Sequence, residues 1–252
     1  MESDVHSVLI IGAGANDIQH GDEVDAATFQ VATEFNKLGI HTIFIDDNPF
    51  SVSLESHDVI DHSCVEALTV DNLMAVINRY KPHAILPTLG NRRAFELTQK
   101  LMDKGVLREK GIRLLGIPEA TIHQINNPVL LSRTLHSMDA PMKSIATVNN
   151  YQDALQEANR LGYPVIIRSV LPKSSSTRRI VHDRRELVTA VQRCLKQSRA
   201  EQVLVQQSLA GYKEIEVMVQ RDQSGTMMML AIVEDMDPIG IHAGDSIAFN
   251  PP

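Results

Sequence analysis

The sequence predicts a two-part α/β protein: a parallel, helix-wound sheet followed by an α+β module with an antiparallel portion. Three observations carry this expectation. Short apolar runs alternate with stretches of helical apolar spacing through residue 117, the rhythm of strand–helix–strand crossovers. The first run, residues 7–11, is apolar after Ser7 and leads into Gly12-Ala13-Gly14, as a strand covered on both faces does. The second half instead sets two strand-like runs, 213–221 and 226–233, on either side of Asp222-Gln223-Ser224-Gly225, a hairpin turn.

The elements follow in order. After the first strand, residues 24–38 carry Val24, Ala27, Val31, Phe35 and Leu38 at helical spacing and stop at Gly39. Residues 41–45 form the next strand, closed by the turn Asp46-Asp47-Asn48-Pro49. A helix over 71–80 with Asp71 near its cap, a strand over 84–86 closed by Pro87, a helix over 92–104 and a strand over 112–115 complete the first unit, 1–117. The second unit, 118–252, opens with helical stretches between 121 and 138 and a strand at 143–147. A helix (150–161) and a strand (163–168) lead into the polar loop Lys173-Ser174-Ser175-Ser176-Thr177-Arg178-Arg179, which returns to the apolar pair Ile180-Val181. A helix over 184–197 and a strand over 202–206 precede the hairpin.

Composition narrows the function classes. A formal net charge of −7 removes any long-range pull toward nucleic acid or an acidic membrane, so neither is an expected partner. Cys64 and Cys194 stand far apart without metal-ligand spacing, which excludes a disulfide framework and fits a reducing compartment. No eighteen apolar residues run together, and the N-terminus MESDVHSVLIIGAG lacks the basic and apolar regions of a secretion signal. The expected location is the cytoplasm, and a homo-oligomer is compatible with the sequence.

Several segments offer chemistry. Gly12-Ala13-Gly14 reads either as a phosphate turn or as a tight structural turn; the third glycine of G-x-G-x-x-G is missing, although Asp46 ends the second strand. Pro87-Thr88-Leu89-Gly90 with Arg92 and Arg93 reads as an anion site or as a solvated first helical turn. The Lys173–Arg179 loop, rich in hydroxyls and cations but free of glycine, reads as a phosphate loop or as a polar hairpin. Glu214 and Glu216 share a strand face, Glu234, Asp235 and Asp237 follow the next strand, and IGIHAGDSI packs turn residues between strands. Met227-Met228-Met229 is expected to serve core and edge packing.

Taken together, SVLIIGAG, EVDAAT, DDNP, PHAILPTLGN, LGYPVIIR, AGYKEIEVMV and GIHAGDSI resemble, in order, the large subunit of carbamoyl phosphate synthetase. The resemblance spans nearly the whole chain and implies a Rossmann-like preATP-grasp domain over 1–117. A partial ATP-grasp domain follows over 118–252, with a small lid lobe at about 141–206 and the start of the large lobe at about 207–252. It implies ATP as ligand, with Arg168 contacting phosphates, Glu214 the ribose, and Gly240, Ile241 and His242 lining the adenine and phosphate region. The family reaction is ATP-dependent phosphorylation of bicarbonate, followed by capture of ammonia from a glutaminase partner, in pyrimidine or arginine biosynthesis.

Departures accompany the match. The glycine-rich flap is replaced by Ser174–Arg179, an ATP-binding arginine by Asn127-Pro128, an acidic residue by Gln207, EFDYSG by residues 23–28, and GGQTA by Gly90-Asn91-Arg92-Arg93-Ala94. The family's Mg²⁺ ligands, with their E-x-N-P-R segment, fall beyond residue 252. The chain is therefore expected to hold no metal and no catalytic residue of its own, and to need a glutaminase subunit or the rest of a large chain for activity. The alternative expectation is a non-catalytic paralogue acting as a binding or regulatory scaffold. A dinucleotide-binding oxidoreductase is a third reading of the first sheet alone.

Overall fold

The computed structural model describes residues 5–15, 21–140, 145–170, 178–198, 200–222, 224–241 and 246–250. The chain divides into two compact units, Met1–Ala140 and Pro141–Pro252. The first contains β1 (Ser7–Ile11), α1 (Gly21–Lys37), β2 (His41–Asp46), α2 (Val52–Glu55), β3 (His62–Val65), α3 (Val70–Tyr80), β4 (Ala84–Leu86), α4 (Arg92–Asp103), α5 (Val106–Lys110), β5 (Arg113–Leu114), α6 (Glu119–Asn126) and α7 (Pro128–Ser137). Its strands form one parallel sheet in the order β3-β2-β1-β4-β5.

Strand β1 is the centre of that sheet, which explains why its sequence is apolar from Val8 to Ile11. Leu9 and Ile11 face a core with Leu73, Ile77, Leu97 and Leu101 from α3 and α4. Val8 and Ile10 face the opposite core, which includes Ala32 of α1 and Leu54 of α2. From Val8 to Ile11 alternate residues thus point to two separate helical layers, and the one polar side chain, Ser7, stands at the start of the strand, 2.9 Å from His83. Helix starts follow local grammar. The Thr69 hydroxyl accepts the Asn72 N–H at 3.2 Å, and the Asn91 side chain accepts the Arg93 N–H at 2.8 Å. Asn127-Pro128 has the same role: the Asn127 side chain accepts the Leu130 N–H at 3.1 Å and proline takes the first helical position.

The second unit holds β6 (Ile145–Val148), α8 (Tyr151–Leu161), β7 (Val165–Ser169), β8 (Arg179–Val181), α9 (Arg184–Gln197), β9 (Val203–Gln207), β10 (Ile215–Arg221), β11 (Met227–Asp235) and β12 (Ala248–Phe249). An antiparallel sheet in the order β6-β9-β7-β8 carries α8 and α9 on one face. Val165 and Ile167 pack there with Ala154, Ala158, Leu187 and Val191. A second antiparallel sheet runs β10-β11-β12, with a bulge where Met218 pairs Ala231 and Val219 pairs Met229, leaving Leu230 as the extra residue.

Met227, Met228 and Met229 differ from expectation. They lie on a strand as read, yet stay 69%, 60% and 60% exposed. Strand propensity marked the backbone correctly, but no described element packs over these side chains.

Leu9 is fully buried at the sheet centre, whereas Leu38 is 72% exposed just past α1. Leu9→Ala is expected to lower the stability of the first unit by about 2–5 kcal/mol in urea unfolding, and Leu38→Ala by no more than about 0.5 kcal/mol.

Candidate nucleotide site

Two places in the chain carry the features of a nucleotide site, one in each unit. In the first, β1 runs into Gly12-Ala13-Gly14 beside the end of β2. The amides of this turn are already engaged. The Gly14 N–H points to the Asp46 carboxylate at 3.4 Å, and the Ala15 N–H donates to Asp47 at 2.6 Å. Asp46 also accepts the Asn48 N–H at 2.7 Å and is almost fully buried. In a dinucleotide enzyme such a carboxylate would reach the ribose, and such amides the pyrophosphate. Here they satisfy each other, which leaves a closed structural turn and removes the support for the oxidoreductase reading.

That turn is built without room. A Cβ on Gly12 would stand 2.0 Å from an Asp46 carboxylate oxygen, and one on Gly90 would stand 2.7 Å from the Gly12 carbonyl oxygen. Burial raises the Asp46 carboxyl above the ordinary carboxylate range, opposed in part by the Asn48 and Gly14 amides and aided by the charges of Asp47 and Asp25.

The second place lies in the Pro141–Pro252 unit. Along β7 the side chains alternate: Val165, Ile167 and Ser169 are buried toward the helices, and Ser169 donates to the Cys194 carbonyl of α9 at 2.7 Å. Arg168, opposite Leu204 of β9, therefore projects from the face without helices and is exposed. Glu214 precedes β10, and its carboxylate faces the Gly240 N–H at 3.4 Å. Gly240 has φ +78°, and the Ile241 N–H closes a turn onto the Pro238 carbonyl at 2.9 Å. That is a turn whose third residue requires a left-handed backbone, the reason for glycine. Ile241 is half exposed beside it.

A Cβ on Gly240 would lie 3.3 Å from both terminal nitrogens of Arg178. The structure thus gathers Glu214, Gly240 and Arg178. Among the described residues no hydrogen bond links Arg168 to these three. His242 and residues 171–177 of the polar loop lie outside the described residues. Sequence reasoning counted Arg178 as one of three loop cations but gave it no separate place; its approach to Gly240 spans sixty-two positions and no local pattern encodes it. It also grouped Glu234 with Asp235 and Asp237, whereas the Glu234 carboxylate pairs with Lys213 at 2.9 Å. Chemically, the group offers a guanidinium suited to phosphate oxygens, a carboxylate able to accept hydroxyls, and a backbone approachable at close range.

Comparison with known proteins adds an independent line. The family model described as the carbamoyl phosphate synthase preATP-grasp domain matches residues 4–124, and that described as the carbamoyl-phosphate synthase L chain, ATP binding domain matches residues 129–252. The chain is 33% identical over 249 residues to a carbamoyl phosphate synthase large chain of Agathobacter rectalis, covering 99% of this chain and 23% of that protein. It is 35% identical over 247 residues to an arginine-specific large chain of Lactiplantibacillus plantarum, covering 98% and 24%. The chain therefore spans about a quarter of the length of these relatives. Among solved structures, the biotin carboxylase domain of Hydrogenobacter thermophilus 2-oxoglutarate carboxylase, in complex with MgADP, ADP and bicarbonate, superposes with a TM-score of 0.66. That alignment covers 92% of this chain and 51% of the other at 17% identity, a likeness of fold.

Two outcomes follow from the closed turn. Gly12→Ala, which forces a Cβ against Asp46, is expected to destabilise the first unit by more than about 2 kcal/mol in urea unfolding, while Gly21→Ala at an open helical position changes it by no more than about 1 kcal/mol. The raised carboxyl sets a sign for pH. Its stabilising contribution is fully present below the ordinary carboxylate range and is lost as pH rises through the raised value. Asp46→Asn should therefore flatten that part of the profile when urea midpoints are compared from acid to neutral pH; an unchanged slope would show that Asp46 does not carry it.

Proposed function

The chain belongs to the family of carbamoyl phosphate synthase large chains, and from that premise we propose that residues 118–252 act as an ATP-binding module. The observation that carries the proposal is the meeting of Arg178, Glu214 and Gly240 beside the exposed Ile241. In this reading Glu214 accepts the ribose hydroxyls, and Gly240, Ile241 and His242 form the segment along the base and phosphates. Arg168, on the open face of the small sheet, and Arg178 bind phosphate oxygens through charge-assisted hydrogen bonds.

The reaction proposed for the complete large chain is the family's: ATP phosphorylates bicarbonate, and ammonia released by a glutaminase partner converts the product to carbamate. The contribution assigned to this segment is to bind and orient the nucleotide. Magnesium accompanying ATP would be held largely by the nucleotide phosphates and water. Among the described residues no group of three or more His, Cys, Asp or Glu side chains could hold a metal ion. The cytoplasm is the proposed compartment; among the described residues no helix is long and apolar enough to cross a membrane.

One observation favours a second reading, a scaffold that binds a partner without catalysis. Val217, Met218, Met227 and Met228 leave the β10–β11 hairpin with exposed apolar side chains.

Calorimetric titration of MgATP into the 252-residue chain tests the main reading. Saturable binding is expected, weakened about tenfold or more by Arg168→Ala and by Glu214→Gln, the loss of one charge-assisted contact each. A folded chain that takes up no MgATP would sink the proposal and leave the scaffold reading standing.

A further inference from the structure

The first unit contains a cavity of about 680 Å³ that the ATP-binding proposal does not use. It opens beside the carboxyl ends of β1 and β4, where the strand order reverses: β2 and β3 lie on one side of β1, β4 and β5 on the other. In open α/β sheets this switch point is where crossover loops part and ligands bind. The volume lies within the range of pockets for small metabolites.

The charges around the cavity are unbalanced. Arg92, Arg93 and Lys100 of α4 line it against a single lining carboxylate, Glu96. Glu96 is already paired with the Arg92 Nε at 2.8 Å. Asp46 and Asp47, at and just past the end of β2, are turned to the amides of Gly14, Ala15, Asn48 and Leu68. Arg93 is held in place, its Nε and Nη2 both donating to the Leu68 carbonyl at 3.2 and 2.8 Å, which fixes the plane of its guanidinium at the cavity wall.

The cations also stand where a helix least favours them. Arg92 and Arg93 occupy the first two positions of α4, whose first turn has no acidic residue, so two positive charges meet the positive end of the helix dipole. Thr69 and Val70 bring the start of α3 to the same cavity. The Thr69 hydroxyl accepts the Asn72 N–H and retains its own proton to donate. Glu96 pairs with Arg92, and Asp71 stands in the first turn of α3; Arg93 and Lys100 have no carboxylate partner among the described residues, and an oxyanion at this concave site would neutralise them.

We propose that this cavity of the first unit binds a small-molecule oxyanion, a phosphate monoester or a carboxylate. The guanidiniums recognise the oxyanion in forked geometry, and Lys100 supplies a further positive charge.

The test is a titration of the isotopically labelled 252-residue chain with inorganic phosphate and, separately, with succinate, followed by amide chemical shifts. Saturable shifts at Gly14, Thr69, Val70 and Arg93 are expected with at least one probe. Response to phosphate alone assigns the phosphate class, and response to succinate alone the carboxylate class. The double variant Arg92→Gln/Lys100→Gln alters side chains at the cavity rim and should keep the spectrum of a folded protein while weakening binding about tenfold or more. No saturable shift with either probe in the folded protein overturns the proposal. So does binding that the double variant leaves unchanged, or phosphate binding abolished by Arg178→Ala, which would place the anion in the second unit.

Discussion

The buried carboxylate of Asp46 is the contact on which the upper end of the first sheet depends. It stands at the end of β2 with its oxygens turned to the amides of Gly14 and Asn48, and it leaves no space for a side chain on Gly12. Gly12 in turn lies against Gly90, where a Cβ would meet the carbonyl oxygens of Ile11 and Gly12 at 2.7 Å. That approach sets where α4 begins, and Asn91 ties it down by donating its side-chain amide to the Ala13 carbonyl at 2.7 Å. The placement of the α4 arginines is therefore a consequence of two glycines and one desolvated acid. Burying that acid costs free energy, and the hydrogen bonds from two backbone amides offset part of the cost.

Much of this architecture was legible in the sequence because it rests on local signals. A run such as VLII, bounded by a glycine turn, reads as a strand covered on both faces, and α9 begins and ends where its periodicity does. The elements that escaped were those whose existence depends on neighbours. Strand β3, HSCV, has no apolar run and is held as an edge by its register against β2. Helices α2 and α5 are too short for a periodic pattern. The first is organised from a distance by Asp25, which accepts the amides of Val52 and Ser53, and the second is bracketed by Gly105 and Gly111 in left-handed conformation. Asn127-Pro128 was read from the family comparison as the loss of a charged contact, whereas the backbone uses it to start α7.

The candidate site shows the same division. Arg168 could be placed on its strand face from alternation alone, because Val165, Ile167 and Ser169 claim the helical side. The partnership of Glu214 with Gly240, and of Gly240 with Arg178, joins segments that are remote in sequence and is fixed only when β8 and the turn at Pro238 are both in place. The exposed methionines of β11 illustrate the limit from the other side. Their pattern specifies a strand, and a strand does not specify what will cover it.

The two proposed anion sites would work by different means, and the difference accounts for why their sequences look so unequal as phosphate motifs. In the first unit the glycine turn has the appearance of a backbone cradle, but Asp46 and Asp47 occupy its Gly14 and Ala15 amides. Recognition of an anion there would have to come from side chains, and those present are the cations of α4. In the second unit the glycine that matters is Gly240, whose amide makes only a long contact to Glu214 and whose missing Cβ admits Arg178. Close backbone approach stays open at Gly240, where the proposed nucleotide would lie, and is given up at Gly12 and Gly90, where glycine packs one strand end against one helix. A G-x-G signal read without its neighbouring carboxylates cannot distinguish these two uses, since the same absence of a side chain serves a ligand in one case and an aspartate in the other.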